Sequence, residues 1–215
     1  MKTSVHTTVF DEHIKEYEAW FETHADTFLF ELEAIREHFN RVPENVRGIE
    51  VGLGTGKFAI PLGIKEGVEP ATLMAEKARK RGIEVMEAHA ERLPYADMQF
   101  DFVLFVTLCH LDNLERAFRE AKRVLKPGGV LITGFLPVDR PIAQAYHERR
   151  AWSIFYKHAN FYSVAKVSEL LEALGFKKLE FNQTLLGPAE TPDTFQQPKP
   201  GSDIGSFVVI SAEKE

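Results

Sequence analysis

Cysteine is almost absent from this 215-residue chain, with Cys109 standing alone. A single thiol builds no internal disulfide framework, which sets aside the small stapled secreted folds and suits a reducing compartment. Long apolar runs are missing as well. No stretch approaches the roughly 20 residues that a membrane helix needs, and no charged-then-apolar leader pattern opens the chain. The expectation is a cytoplasmic protein with no membrane association. Cations are in deficit, 26 Lys and Arg against 32 Asp and Glu, for a formal charge of −6. A general nucleic-acid binder neutralises phosphates with surplus positive charge, so that class is disfavoured. Metal-ligand spacings are lacking too. Eight histidines form no His-x-x-x-His pair, no HExxH occurs, and Cys109 has no CxxC partner. No metal is expected.

What is present is 44% hydrophobic and 11% aromatic residues, enough to bury a sizeable core. The length fits one domain over residues 1–215. Its first part, 1–42, reads as a helical cap, with helices over 10–21 and 25–39. Phe28, Leu32, Ile35 and Phe39 recur at three- and four-residue spacing and so share one helical face. Pro43 and Asn45 close this cap. Residues 46–135 then alternate. Apolar runs at 48–51, 63–68, 83–86, 100–106 and 130–135 read as strands. Helical patterns at 71–81, closed by Gly82, and at 114–126, opened by Asp112 or Asn113, lie between them. The first crossover has only 57–62 for its helix, with Pro61 inside it. Residues 136–215 form the second half. Helices are expected over 142–156 and 163–174, the latter with Ser163 as N-cap and Gly175 just past its end. Strands are expected over 176–184 and 205–211. Between them, 186–203 carries Pro188, Pro192, Pro198 and Pro200 and reads as a partly ordered surface loop. Alternation of this kind predicts a mostly parallel sheet covered on both faces.

Chemistry concentrates at Gly52, Gly54 and Gly56, which follow an apolar strand. Glycines there allow tight turning and let a ligand approach the backbone where a Cβ would collide. A Walker loop fails, because Val51 and Phe58 stand where that motif needs glycine and a hydroxyl residue. A dinucleotide GxGxxG counted from Gly52 puts Lys57 where a small residue belongs. An acidic residue, Glu50, followed by three glycines at every second position, remains. One strand later, Gly67-Val68-Glu69-Pro70 places a carboxylate where it can accept from both hydroxyls of a ribose. Taken alone, Glu69 reads as a solvated loop carboxylate; following the glycine loop by one strand, it reads as the ribose ligand.

These segments resemble the class I methyltransferases. The resemblance is carried by Glu50–Gly56, Gly67–Pro70, Ala90-Glu91-Arg92-Leu93-Pro94-Tyr95, Phe100-Asp101-Phe102-Val103-Leu104 and the run from Leu125 through Pro127-Gly128-Gly129 to Ile132. Tyr17-Glu18-Ala19-Trp20-Phe21, with Phe155 to Phe161, is similar to an uncharacterised small prokaryotic subgroup. The resemblance implies a Rossmann-like, doubly wound α/β sheet of seven strands in the order 3-2-1-4-5-7-6, the last antiparallel. It implies S-adenosyl-L-methionine as cofactor. The backbone of Gly52, Leu53 and Gly54 would face the methionine part, with Glu69 and Pro70 at the ribose and His89, Ala90 and Glu91 around the adenine. Phe105, Val106 and Thr107 would lie near the sulfonium, and Tyr17 and Trp20 would cap the methionine part or serve only in helix packing. Many relatives carry Asp where this chain has His89, so adenine recognition here would rest on the backbone at Ala90.

The implied activity is methyl transfer to a small-molecule acceptor. The alternatives are a non-catalytic protein that binds S-adenosylmethionine or S-adenosylhomocysteine as a regulator, and an NAD-dependent oxidoreductase disfavoured by Lys57. His110, where the fourth strand leaves the sheet, is the candidate general base or else a packing histidine. His147, Tyr156, Lys157 and His158 are candidates to line the acceptor site. Cys109 reads as a buried thiol, not a nucleophile. The basic run from Lys77 to Arg81 reads as a solvated helix end.

Overall fold

The computed structural model describes residues 5–40, 42, 46–187 and 197–215, with side chains from residue 8 onward. Three helices open it: α1 (Val5–Glu12), α2 (Ile14–Thr23) and α3 (Ala25–Phe39). The expected first helix is thus two, broken at His13, whose backbone leaves helical geometry. Pro43 and Asn45 lie outside the described residues. Eight strands and four further helices follow: β1 (Gly48–Val51), β2 (Glu66–Val68), α4 (Thr72–Lys80), β3 (Glu84–Met86), β4 (Phe100–Val106), α5 (Leu114–Val124), β5 (Leu125–Phe135), α6 (Pro141–Glu148), α7 (Val164–Ala173), β6 (Phe176–Thr184), β7 (Lys199–Pro200) and β8 (Phe207–Lys214). The strands form one sheet in the order β3-β2-β1-β4-β5-β8-β6-β7. β1 to β5 pair in parallel, and β8 runs antiparallel between β5 and β6. This is the expected Rossmann-like order with one addition, the two-residue β7 on the edge beside β6.

Period-two alternation divides the strands between two cores. Val103 and Phe105 of β4, with Val208 and Ile210 of β8, face α5 and α7 through Phe118, Ala121, Val167 and Leu171. Phe102 and Leu104, with Phe207 and Val209, face α3 and α4 through Phe30, Ile35, Ala75 and Ala78. Asn113 caps α5, its Oδ1 accepting from the Arg116 amide at 2.9 Å, and Ser163 caps α7 on the Lys166 amide at 3.2 Å.

Several boundaries differ from expectation. No regular helix forms over 57–62; the chain makes successive turns, Ile60 and Leu62 amides bonding to Gly56 and Phe58 carbonyls. Gly63 at φ +72°, with Ile64 donating back to Ala59, closes those turns and delays β2 to Glu66. β5 starts earlier, because Leu125 pairs with Phe100 before a bulge at 126–129 restores register at Val130. α6 stops at Glu148, followed by a 3₁₀ turn over Arg150–Trp152 and a turn in which Ser153 Oγ accepts from the Tyr156 amide. In the proline-rich loop, Pro188 and Pro192 lie outside the described residues. Its end is tied down by Gln183, whose Oε1 accepts from the Ile204 and Gly205 amides.

Candidate active site

The glycine loop leaves the carboxyl end of β1, where ligands sit in open α/β sheets. Gly52, Gly54 and Gly56 have φ of +74°, +58° and +83°, a region that glycine adopts without steric penalty. The Gly52 and Leu53 amides both donate to the Val68 carbonyl, at 2.8 and 3.1 Å, which fixes the loop to β2. A Cβ on Gly52 would meet nothing within 4 Å, whereas one on Gly54 would come within 2.6 Å of Tyr17 Oη. Gly56 points elsewhere. Its Cβ would overlap Ile83 at 2.3 Å, so this glycine permits close packing of the loop.

Glu69 follows β2 and spans the loop. Its Oε2 accepts from the Gly54 amide and its Oε1 from the Ala71 amide, both at 2.8 Å. Burial pushes its carboxyl up to about 7 although these two bonds pull it down. Glu50 is buried beside it. Burial, and then the Glu69 charge, raise its carboxyl well above the usual range. The Tyr17 hydroxyl is raised by burial and by the Glu50 and Glu69 carboxylates.

A cavity of about 220 Å³ opens over this loop and the carboxyl ends of β1, β2, β4 and β5. Tyr17, Trp20, Glu50, Gly52, Leu53, Gly54, Glu69, Pro70, His89, Ala90, Glu91, Phe105, Val106, Thr107, His110 and Tyr156 all line it. Gly56, His147, Lys157 and His158 do not. His147, Lys157 and His158 are exposed on the surface. The reason is helical phase: Ile142 and Tyr146, four residues apart, face the cavity from α6, so His147 is rotated off that face. Among the described residues, five carboxyl groups line the cavity (Glu31, Glu50, Glu69, Glu91 and Asp112), and no lysine or arginine does. Lys57 lies outside it, 3.4 Å from Glu18 and over the Phe21 ring.

Aromatic rings form the roof. Phe10 of α1 stacks on Phe155 at 5.2 Å and meets His110 edge-on at 5.0 Å. His110 stacks on Tyr156, which stacks on Tyr146 at 4.4 Å. Thr107, preceding the 3₁₀ turn that carries His110, has φ +67°, a strained conformation for a β-branched residue. Cys109 is buried, and burial raises its thiol. Sequence reading passed over Phe10, Glu31, Asp112 and Tyr146. Only Glu31 left a signal, a carboxylate three residues from Phe28 and four from Ile35 on a helix whose apolar positions recur at that spacing.

The helical cap is latched to the loop. Glu18 of α2 bonds Arg81 Nη2 at 2.5 Å and Lys77 at 3.2 Å, and accepts from Thr55 Oγ1. Partial burial opposes ionisation, but the bonds from Arg81, Thr55 and Lys77 outweigh it and hold the carboxyl at about 2. Asp11 of α1 accepts from the Leu73 amide at the start of α4.

Residues 49–133 match the family model for a methyltransferase domain. An uncharacterised protein of Methanocaldococcus jannaschii is 42% identical over 96% of this chain and 98% of its own. A Thermotoga maritima crystal structure, described as a SAM-dependent methyltransferase and possible histamine N-methyltransferase, superposes with a TM-score of 0.90. It is 41% identical and covers 97% of this chain and 99% of that one. A Bacillus subtilis protein named an uncharacterised methyltransferase is 30% identical over 61% of this chain and 60% of its own. The chain belongs to the S-adenosylmethionine-dependent methyltransferases, and S-adenosylmethionine is its cofactor. No helix among the described residues is long and apolar enough to cross a membrane.

Proposed function

We propose that this enzyme binds S-adenosylmethionine against the Gly52–Gly54 backbone and methylates a small molecule held in the same cavity. The observation that carries the reading is Glu69, buried, bonded to two loop amides, and beside a glycine whose open face looks into the cavity. Each Glu69 oxygen keeps a lone pair for a ribose hydroxyl. His89, Ala90 and Glu91 flank the adenine, and Glu50 with Tyr17 and Trp20 bounds the methionine part. The acidic lining suits a ligand that carries a sulfonium and an ammonium. It does not suit the pyrophosphate of a dinucleotide, which would find no lysine or arginine among the described residues there.

When bound, the cofactor supplies an electrophilic methyl group and its own leaving group. The chain supplies alignment, exclusion of water and electrostatics. Holding two reacting atoms in line is worth roughly 7–11 kcal/mol. The Phe10–Phe155 roof and the stack of Tyr146, Tyr156 and His110 enclose the space beside Val106 and Thr107, which favours a small acceptor over a polymer. His110 is placed at that wall to take a proton from an acceptor that must lose one. Residues 1–42 act as the cap, 46–135 as the cofactor half and 136–215 as the acceptor side of one domain.

Calorimetry with S-adenosylhomocysteine and with NAD tests the cofactor site. The first should bind and the second should not; the reverse order of affinity would defeat the reading. A screen of amines, phenols and thiols for labelled methyl transfer then tests the acceptor, and transfer only to a protein or nucleic acid would overturn the small-molecule assignment.

A further inference from the structure

One buried acid of the cavity lining comes from α3 rather than from the glycine loop or β2. Thr27, Glu31, Ile35 and His38 lie along one face of α3 at spacings of four, four and three. His38 Nδ1 lies 2.8 Å from Ser211 Oγ on β8, and Ile35 packs near Gly134 of β5. Ser211 pairs with Ile132, so α3 climbs the sheet toward the carboxyl end of β5. One turn further, Glu31 reaches the cavity wall that Leu136, Leu185 and Phe207 also form. Glu31 is only 8% exposed. Among the described residues it has no hydrogen bond and no ion pair. Burial, with nothing to offset it, pushes its carboxyl up to about 8.

An unpaired acid buried in an apolar wall is destabilising unless something neutralises it. Among the described residues no lysine or arginine lines the cavity to pair with it. Nor is Glu31 needed for packing, where Leu or Met would fill the same volume without desolvation. The cavity lining also includes aromatic rings from Phe21, Tyr146, Tyr156 and Phe207, and aromatic rings attract positive charge.

We propose that Glu31 determines acceptor specificity by pairing with a protonated aliphatic amine on the substrate, so that the enzyme takes alkyl- or arylalkylamines and rejects neutral or anionic analogues; a nitrogen held in this way accepts a methyl group only after its proton has passed to a base. The carboxylate supplies a charge-assisted bond, and the ammonium supplies the partner that the fold leaves out. The proposal rests on reading the cavity as the methyltransferase site.

The test is calorimetry on the full chain saturated with S-adenosylhomocysteine, using a panel of arylalkylamines and their alcohol counterparts, with 2-phenylethylamine and 2-phenylethanol as the reference pair. Wild type should prefer amines over the matching alcohols by at least tenfold. Glu31→Gln, which keeps the shape and a neutral donor, should lose that preference to within threefold while binding S-adenosylhomocysteine as wild type does. Cofactor binding by the variant also reports that it is folded. If no amine is preferred over its alcohol, or Glu31→Gln keeps the preference, Glu31 is not the specificity group. If wild type fails to bind S-adenosylhomocysteine at all, the reading of the cavity fails, a different and separable result.

Discussion

Replacing Glu69 by Gln probes the cofactor site with little change in volume. In the native chain both carboxylate oxygens accept a backbone amide at 2.8 Å. Glutamine keeps one acceptor and turns an NH2 toward the other amide, so one buried N–H loses its partner, at about 1–3 kcal/mol. The sugar contact loses its charge as well; hydrogen bonds to charged groups are worth about 1.5–3 kcal/mol. An opposite effect acts on folding. Raising the carboxyl from its ordinary 4.5 to about 7 disfavours the ionised form by about 3 kcal/mol, and this burden disappears in the variant above pH 7. The two contributions to stability nearly cancel, whereas the loss at the sugar contact has no offset. At pH 8 the unfolding midpoint should therefore move little, while S-adenosylhomocysteine affinity falls about a hundredfold. Titration calorimetry beside a thermal melt reads both. Affinity within threefold of wild type would remove Glu69 from the site.

Gly54→Val should abolish cofactor binding, because a side chain at φ +58° there meets Tyr17 Oη; tight binding by a folded variant would defeat the loop assignment. His110→Ala should lower turnover about a hundredfold, with cofactor affinity unchanged, if the histidine acts as base. Equal turnover would leave it a packing group. Glu31 titrates near 8 when folded and near 4.5 when unfolded, so the unfolded chain loses that proton first. Stability of the ligand-free protein should then fall as pH rises from 4.5 through 8, by about 5 kcal/mol from this group. The midpoint of Glu31→Gln should pull ahead of wild type with rising pH, and a gap that stays constant from pH 5.5 to 8.5 would contradict the assignment.

Much of the fold, and the glycine-loop end of the cavity, was legible in the chain, for a physical reason. The loop Glu50–Gly56 and the Glu69 carboxylate are set by contiguous residues: glycines that must take positive φ, and an acid one strand later at fixed offset. β1, β4 and β6 begin and end where their apolar runs do, since alternation reports burial directly. The opposite end was less legible because it is assembled from elements far apart in sequence. His147 looked as suitable as Tyr146 in a list of residues, but one position on a helix is a rotation of about 100°. Gly56 belongs to the same motif as Gly54 and yet faces Ile83. Glu31 is the clearest omission. Its place in the apolar register of α3 was visible, but its lack of a partner is a property of the packed protein.

The most direct measurement is a crystal structure with S-adenosylhomocysteine. It should show the ribose hydroxyls on Glu69, the amino-acid part along the Gly52–Gly54 backbone, and the sulfur facing the space between Val106 and Tyr156. Ligand density away from the Gly52–Gly54 turn, or a ribose that makes no contact with Glu69, would contradict the account.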